Sequence, residues 1–323
     1  MAKPNPLDAL LGTIVRDAIA ADAEIREGRF QKGLSLVAGL SSILSGLEVT
    51  YEHYRGSYGQ RVMYTPVILS PALLAAGIWG YRNRRAAQTA LPTISALILA
   101  DGVIGFVFHV RGIQRKPGGW RLPVANVIMG PPIFAPLLFG ISGYLGLMAA
   151  FLRRTEAPSD LSVHPAIRPL QTWMEMRPVE APMKGRSWEQ DIREGRFQKH
   201  LAASTAAWSF FSGVEALYSH YKNNFRYKMQ WTPVIISPLL TGAAVAAVFN
   251  RRAARTLLPA ASLAAAADGA LGFYFHARGV ARRPGGMKKP FYNIMYGPPI
   301  FAPLLFAACG ALGLLASLMR REQ

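Results

Sequence analysis

Residues 91–109 read LPTISALILADGVIGFVFH, and this stretch shows what kind of chain it belongs to. Asp101 is its only acidic residue, no Lys or Arg interrupts it, and His109 closes it. Its length approaches the roughly 20 residues that a helix needs to cross a bilayer. The whole chain is 51% hydrophobic and only 17% charged, which is too apolar for a soluble domain unless lipid covers the excess. We therefore predict a membrane protein in which this stretch is one span.

The same stretch occurs a second time in the chain. Residues 258–276 read LPAASLAAAADGALGFYFH, with Asp268 and His276 in the corresponding places. Around it, residues 24–154 align without a gap on residues 191–321, and close to half of the positions match, including IREGRFQK, TPVI, RRAA, PGG and GPPIFAPLLF. Such a long period indicates duplication of a whole domain, as in many membrane proteins built from structural repeats.

Each copy contains four apolar stretches. They cover residues 34–54, 66–81, 91–109 and 131–152, then 201–221, 233–249, 258–276 and 298–318. An even number of spans returns the chain to its starting side, so the copies are expected to be parallel repeats. The predicted fold class is all-α, a polytopic transmembrane protein with eight spans as two parallel-repeat four-helix bundles. Pro71 and Pro238 are expected to kink the second span of each copy, and Pro131 and Pro132 to lie in the first turn of the fourth.

The segments outside the spans complete the predicted organisation. Residues 1–23 have apolar positions at helical spacing and are expected to form an amphipathic segment. Residues 24–154 and 191–323 form the two transmembrane repeats, and the Pro-rich residues 155–190 form a linker. The start MAKPNPLDALLG lacks the features of a secretory signal, so the spans themselves are expected to direct insertion.

Charge and cysteine content exclude several classes of protein. The net charge of +18 comes from Lys and Arg at the ends of apolar stretches, where basic residues border membrane helices, so nucleic-acid binding is not expected. The larger basic share lies on the side of the termini, which predicts cytoplasmic termini in the inner membrane. The single cysteine, Cys309, excludes an internal disulfide and a cysteine-based metal site built by this chain alone.

Few ionisable residues remain inside the spans, and each costs a few kcal/mol there, which makes it a functional candidate. Glu52, His164 and His200 have no counterpart of the same type in the other copy and are set aside. The residues present in both copies are Glu48 with Glu215, His53 with His220, Asp101 with Asp268, and His109 with His276.

The histidines suggest a haem site in each copy. The first and third spans run in the same direction, so His53 and His109 are expected at similar depth on neighbouring helices, an arrangement that suits axial ligation of haem iron. An arginine two residues beyond each third-span histidine is a candidate partner for the haem propionates. The alternative is that the histidines are interfacial caps, hydrogen-bonded to backbone or to Glu52 and Arg neighbours. The predicted cofactor-binding residues are His53, His109, His220, His276, Arg111 and Arg278.

The acids and the loops on the side opposite the termini also allow two interpretations each. Glu48, Asp101, Glu215 and Asp268 either form a proton path or fix helix packing. The loops follow the pattern FHxRGxxR(K/R)PGG and are expected to form a shaped, basic cap that receives an acidic partner, lipid headgroups or an anionic ligand. The alternative is a basic loop that merely contacts phosphates.

The run REGRFQK, TPV, RRAA, FHxRG, PGG and GPPIFAPLLF resembles a set of uncharacterised bacterial membrane proteins, which implies no particular activity. The four-helix halves are similar in architecture to quinone-interacting membrane subunits of respiratory oxidoreductases. The leading hypothesis is a respiratory membrane subunit that anchors a catalytic partner and passes electrons through haem b to quinone. It rests on the duplicated histidine pairs, the basic surface beside them and the absence of a soluble catalytic domain, since likeness of fold does not imply function. The alternatives are a transporter or channel with the acids along its pathway, and a cofactor-free anchor. A catalytic site of its own is not expected, because nucleophile, phosphate-loop, zinc and nucleotide motifs are missing.

Overall fold

The computed structural model describes residues 6–154 and 188–321, and every regular element in these ranges is a helix. The all-α prediction is therefore confirmed for the described residues. Most of the predicted linker, residues 155–187, lies outside them. The first part contains α1 (Pro6–Arg26), α2 (Gln31–Arg55), α3 (Thr65–Arg82), α4 (Arg84–Gln88), α5 (Ala90–Gln114), α6 (Pro123–Ile128) and α7 (Ala135–Phe151). The second contains α8 (Trp188–Arg193), α9 (Gln198–Lys222), α10 (Thr232–Phe249), α11 (Arg251–Arg255), α12 (Leu257–Ala281), α13 (Pro290–Met295) and α14 (Ala302–Leu318).

Within the described residues, five helical stretches are long and apolar enough to cross a membrane, which indicates a lipid bilayer environment. Both α7 and α14 are apolar but have only 17 residues. Helix α9 has 25 residues, like α2, but alanine and aromatic residues replace most of the leucine, isoleucine and valine residues of α2, which lowers its mean hydropathy. The five stretches are Gln31–Arg55, Arg61–Arg82, Arg84–Gln114, Lys228–Phe249 and Leu257–Ala281.

The prolines differ from expectation at the fourth helix of each copy. Pro131 and Pro132 precede α7, which begins at Ala135 with Pro136 in its first turn. The expectation for Pro131 and Pro132 was wrong, because a residue followed by proline is biased away from the helical region and two consecutive prolines extend that bias. Pro71 lies inside α3, and the helix continues past it.

The four long helices of each copy pack in a closed ring. In the first copy α2 packs on α3, α3 on α5, α5 on α7, and α7 on α2, and the corresponding helices of the second copy pack in the same way. Gly143 of α7 shows how closely the helices approach, because a Cβ there would lie 2.5 Å from the carbonyl oxygen of Ser95 in α5. Small residues permit such contacts between membrane helices, where van der Waals packing replaces the hydrophobic effect.

An arginine after the last helix of each copy binds carbonyls at the end of the second. Arg154 donates from Nη1 to Gly80 O at 2.9 Å and to Gln31 Oε1 at 3.2 Å, and from Nη2 to Tyr81 O at 2.9 Å. Arg321 makes the corresponding bonds to Ala247 O, Gln198 Oε1 and Val248 O. Each guanidinium thus satisfies carbonyls of the final turn of α3 or α10, which have no partner within their own helix.

We expect Arg154→Ala to lower the free energy of unfolding by about 1–3 kcal/mol, because it removes charged donors from carbonyls that are partly shielded from water. The measurement is the unfolding midpoint of the purified chain in mild detergent. Arg84→Ala is the matched control, since that arginine lies exposed at the start of α4. Equal loss in both variants would show that the Arg154 bonds contribute nothing specific.

The two copies meet at the glycines of their IREGRFQK motifs. Gly28 and Gly195 have φ of 70° and 69°, the left-handed region that glycine occupies readily after a helix. A Cβ on Gly28 would lie 2.4 Å from Arg193 O, and one on Gly195 2.6 Å from Arg26 O. The two turns are therefore in backbone contact, and any side chain at either glycine would separate them.

Candidate functional site

Each of the four duplicated histidines bonds a backbone carbonyl through Nδ1. His53 contacts Met63 O at 2.7 Å and His109 contacts Pro132 O at 2.5 Å. In the second copy, His220 contacts Gln230 O at 2.7 Å and His276 contacts Pro299 O at 2.5 Å. These carbonyls belong to the short segments that enter the second and fourth helices, so each ring is held against the start of the next span.

The carbonyl partners determine the tautomer of the imidazoles. A carbonyl oxygen only accepts, so Nδ1 must carry the hydrogen, and Nε2 of the neutral ring then carries a lone pair. An Nδ1–H bonded to a carbonyl is the arrangement that orients metal-ligating histidines in proteins. In each of the four rings, Nε2 therefore carries a lone pair that a ligand could bind. The same Nδ1–carbonyl bond is expected if the histidines are interfacial caps.

The histidines of one copy lie together, and an aspartate lies beside them. His53 and His109 are close enough to interact electrostatically, and so are His220 and His276. Asp101 accepts a hydrogen bond from Thr65 Oγ1 at 2.5 Å and lies near His53 of α2, the helix diagonally across the ring from α5. The structure thus brings three predicted residues of the first copy to one region, the end of α2 beside the start of α3.

Asp268 occupies the corresponding place in the second copy. It is hydrogen-bonded to Thr232 and only 8% exposed. Because a threonine at the start of the second span binds the aspartate in both copies, each aspartate connects the third helix to the second.

An aromatic pair supports the first histidine of each copy and was missed by the sequence analysis. Tyr58 lies edge-on to His53 with centroids 6.1 Å apart and stacks on Tyr64 at 4.4 Å. Phe225 lies in the same way against His220 and stacks on Trp231 at 3.9 Å. The available signal was an aromatic residue five positions after each histidine and another at eleven positions.

These aromatic residues have unusual backbone conformations. Tyr58 has φ of 46° and Phe225 has φ of 45°, a region that costs a bulky L-residue roughly 1–2 kcal/mol. Because backbone strain of this kind persists only where the surroundings impose it, the turn beside His53 and His220 is held by its packing.

Arg111 and Arg278 lie exposed in the last turns of α5 and α12. Residues two apart on a helix do not face each other, so neither arginine shares a helix face with the histidine that precedes it. Their predicted contact with haem propionates stays a prediction.

The glutamates Glu48 and Glu215 bind across the boundary between the two copies. Glu215 of α9 accepts a hydrogen bond from Phe134 N at 2.8 Å, at the start of α7. Glu48 of α2 accepts one from the backbone of Phe301, at the start of α14. Each carboxylate therefore caps the fourth helix of the other copy, where backbone N–H groups lack partners and the helix dipole favours negative charge.

Other contacts surround these caps at the boundary between the copies. Tyr51 donates from its hydroxyl to Gly297 O at 3.2 Å. Phe134 stacks on Phe211 at 4.5 Å. Glu48 and Glu215 thus lie within a packed boundary, which is the contact expected if the duplicated acids fix helix packing.

The loops before the fourth helices have the same construction in both copies. In the first, Asn126 donates from Nδ2 to Pro117 O at 3.0 Å and to Gly119 O at 2.7 Å. In the second, Asn293 makes the same bonds to Pro284 O and Gly286 O. The asparagine closes each PGG turn from inside, so these loops have a defined shape.

In residues 6–154 and 188–321, no group of three or more His, Cys, Asp or Glu side chains is placed to hold a metal ion. Comparison of the chain with protein-family models, curated proteins and solved structures finds no match.

Proposed function

We propose that this chain is an eight-span subunit of the inner membrane, with two parallel four-helix repeats and cytoplasmic termini, that anchors a respiratory oxidoreductase. In this proposal His53 and His109 ligate one haem b, His220 and His276 ligate a second, and electrons pass to quinone. The observation that carries the proposal is the Nδ1–carbonyl bond at all four histidines.

The residues present fit the donor set of such a haem. Two imidazoles with Nε2 lone pairs come from the first and third long helices of each copy, which lie diagonally across the ring of four and not side by side as the sequence predicted. Their Nδ1–H bonds raise ligand basicity and hold the rings in place. A bound haem would supply one-electron chemistry. The chain itself would supply the ligands, the packed aromatic support at His53 and His220, and the apolar surroundings.

An optical spectrum of the purified native protein tests the haem. We expect a reduced-minus-oxidised difference spectrum of the b type, halved in His109→Ala and absent in the His109→Ala, His276→Ala double variant. His200→Ala is the matched control, because His200 lies exposed near the other end of α9 and has a glycine, Gly33, as its counterpart. A parent protein without any b-type signal would contradict haem binding.

A cofactor-free anchor is the second candidate, and the glutamate caps favour it. Both duplicated glutamates bind helix starts and both duplicated aspartates bind threonines, so packing accounts for all four acids. If this candidate is right, the native protein co-purifies with its partner and lacks a b-type spectrum. In that case the histidine double variant loses the partner without any spectral change.

A further inference from the structure

The loops on the side opposite the termini combine basic charge with exposed apolar side chains. We name residues 111–130 and 278–297 the basic loops. Their basic residues are Arg111, Arg115, Lys116 and Arg121 in the first, and Arg278, Arg282, Arg283, Lys288 and Lys289 in the second. We propose that the basic loops bind the headgroups of anionic phospholipids and insert their apolar side chains into the adjoining leaflet.

Acidic residues are missing around both loops. The sequence contains no Asp or Glu from residue 102 to 155, or from 269 to 321. Within the described residues, the basic side chains of these loops form no ion pair. Their charge is therefore available to an outside anion, and clustered basic residues near a membrane surface attract anionic lipid.

Large apolar side chains are exposed beside these charges, mostly just after the last basic residue of each loop. In the first loop Val124 is 71% exposed, with Leu122, Trp120 and Met129 also exposed. In the second Phe291 is 69% exposed, with Met287, Tyr292 and Tyr296 also exposed. Basic residues beside exposed aromatic and aliphatic ones, on short helices next to spans, are typical of segments that lie in the interface of a bilayer.

The position of the loops selects lipid rather than a soluble anion. Each loop leaves the third span at Gln114 or Ala281 and returns to the fourth helix at Ala135 or Ala302, so its short helix lies at the level where the spans end. A free anion would explain the charge but not the exposed apolar residues beside it.

Trp120 provides a native reporter of the first loop, because it lies 44% exposed between Lys116 and Arg121. The experiment reconstitutes the full chain into vesicles that contain phosphatidylglycerol or phosphatidylcholine brominated near the headgroup. Subtracting the fluorescence of Trp120→Phe isolates the signal of Trp120. We expect brominated phosphatidylglycerol to quench it about 5-fold more than phosphatidylcholine at equal content, the ratio that the attraction of one basic residue would produce.

The variants decide whether the loop charge causes this preference. Arg115→Gln with Arg121→Gln should equalise quenching by the two lipids, while unchanged quenching by phosphatidylcholine shows that the loop still lies in the membrane. Arg84→Gln with Arg85→Gln removes equal charge from α4 at the other end of the spans and should leave the preference intact. Inorganic phosphate, compared with chloride at the same ionic strength, should leave it intact too.

Three results would overturn the proposal. They are equal quenching of the parent by both lipids, a preference that survives the loop variant, and a preference that phosphate abolishes while chloride does not. The last would show that the loops bind a free anion. None of these results depends on whether the protein binds haem.

Discussion

Gly28→Ala is expected to lower the free energy of unfolding by about 3 kcal/mol relative to the parent chain. Alanine pays roughly 1–2 kcal/mol for the left-handed conformation that Gly28 adopts, and its Cβ would lie 2.4 Å from Arg193 O and 2.8 Å from Gly195 N. Both neighbours are backbone atoms of the other copy, so relief requires the two turns to move apart. The measurement is the unfolding midpoint in mild detergent, with aggregation state followed by gel filtration.

Gly33→Ala provides a control with the opposite expected sign. Gly33 lies exposed in α2, and a Cβ there would meet no atom within 4 Å. Alanine in a helix interior is more favourable than glycine by roughly 0.5–1 kcal/mol, so this variant should be slightly more stable. If Gly28→Ala did not lower the free energy of unfolding, the contact between the two turns would not be part of the folded protein.

Glu215→Ala is expected to lower the free energy of unfolding by about 2–4 kcal/mol. The variant removes the acceptor from Phe134 N and leaves the start of α7 uncapped in an apolar region. Glu48→Ala should cost a similar amount, since Glu48 binds the start of α14 in the same way. Glu215→Gln retains a carbonyl oxygen as acceptor, so its free energy of unfolding should fall less than that of Glu215→Ala. The measurement is again the unfolding midpoint of the purified chain.

Glu52→Ala is the matched control for these glutamates. Glu52 lies one turn after Glu48 on α2, and its contact with Arg55 is long at 4.0 Å. Such a partly exposed pair contributes little, roughly 0–1 kcal/mol. If Glu52→Ala lowered the stability as much as Glu215→Ala does, the loss in Glu215→Ala would come from removing a negative charge in this region and not from uncapping α7.

The helices were predictable because lipid imposes one simple rule on the sequence. Apolar stretches such as residues 91–109 must satisfy their backbone groups internally, and the helix is the local way to do so. The match between residues 24–154 and 191–321 then identified which ionisable residues to compare. The start of the fourth helix was misplaced at Pro131 because apolar composition continues through the proline turn that precedes α7.

Contacts between the copies could not be predicted in this way. Glu215 and Phe134 are 81 residues apart, and the sequence around either residue does not indicate that the two are in contact. The same holds for Gly28, whose motif IREGRFQK indicates a repeated turn but not that the two turns touch. The aromatic support of His53 was missed because Tyr58 lies in a turn, where helical spacing gives no guidance.

The crossed glutamate caps impose an order on biosynthesis. The ribosome completes α7 well before Glu215 is made, so the nascent N-terminal half inserts with the first turn of its last helix still open. The start of α7 gains its acceptor only when Glu215 of α9 has been synthesised. The start of α14 is synthesised last, when its acceptor Glu48 is already present in the chain. A chain that ends between the halves would therefore lack the carboxylate that binds Phe134 N at the start of α7.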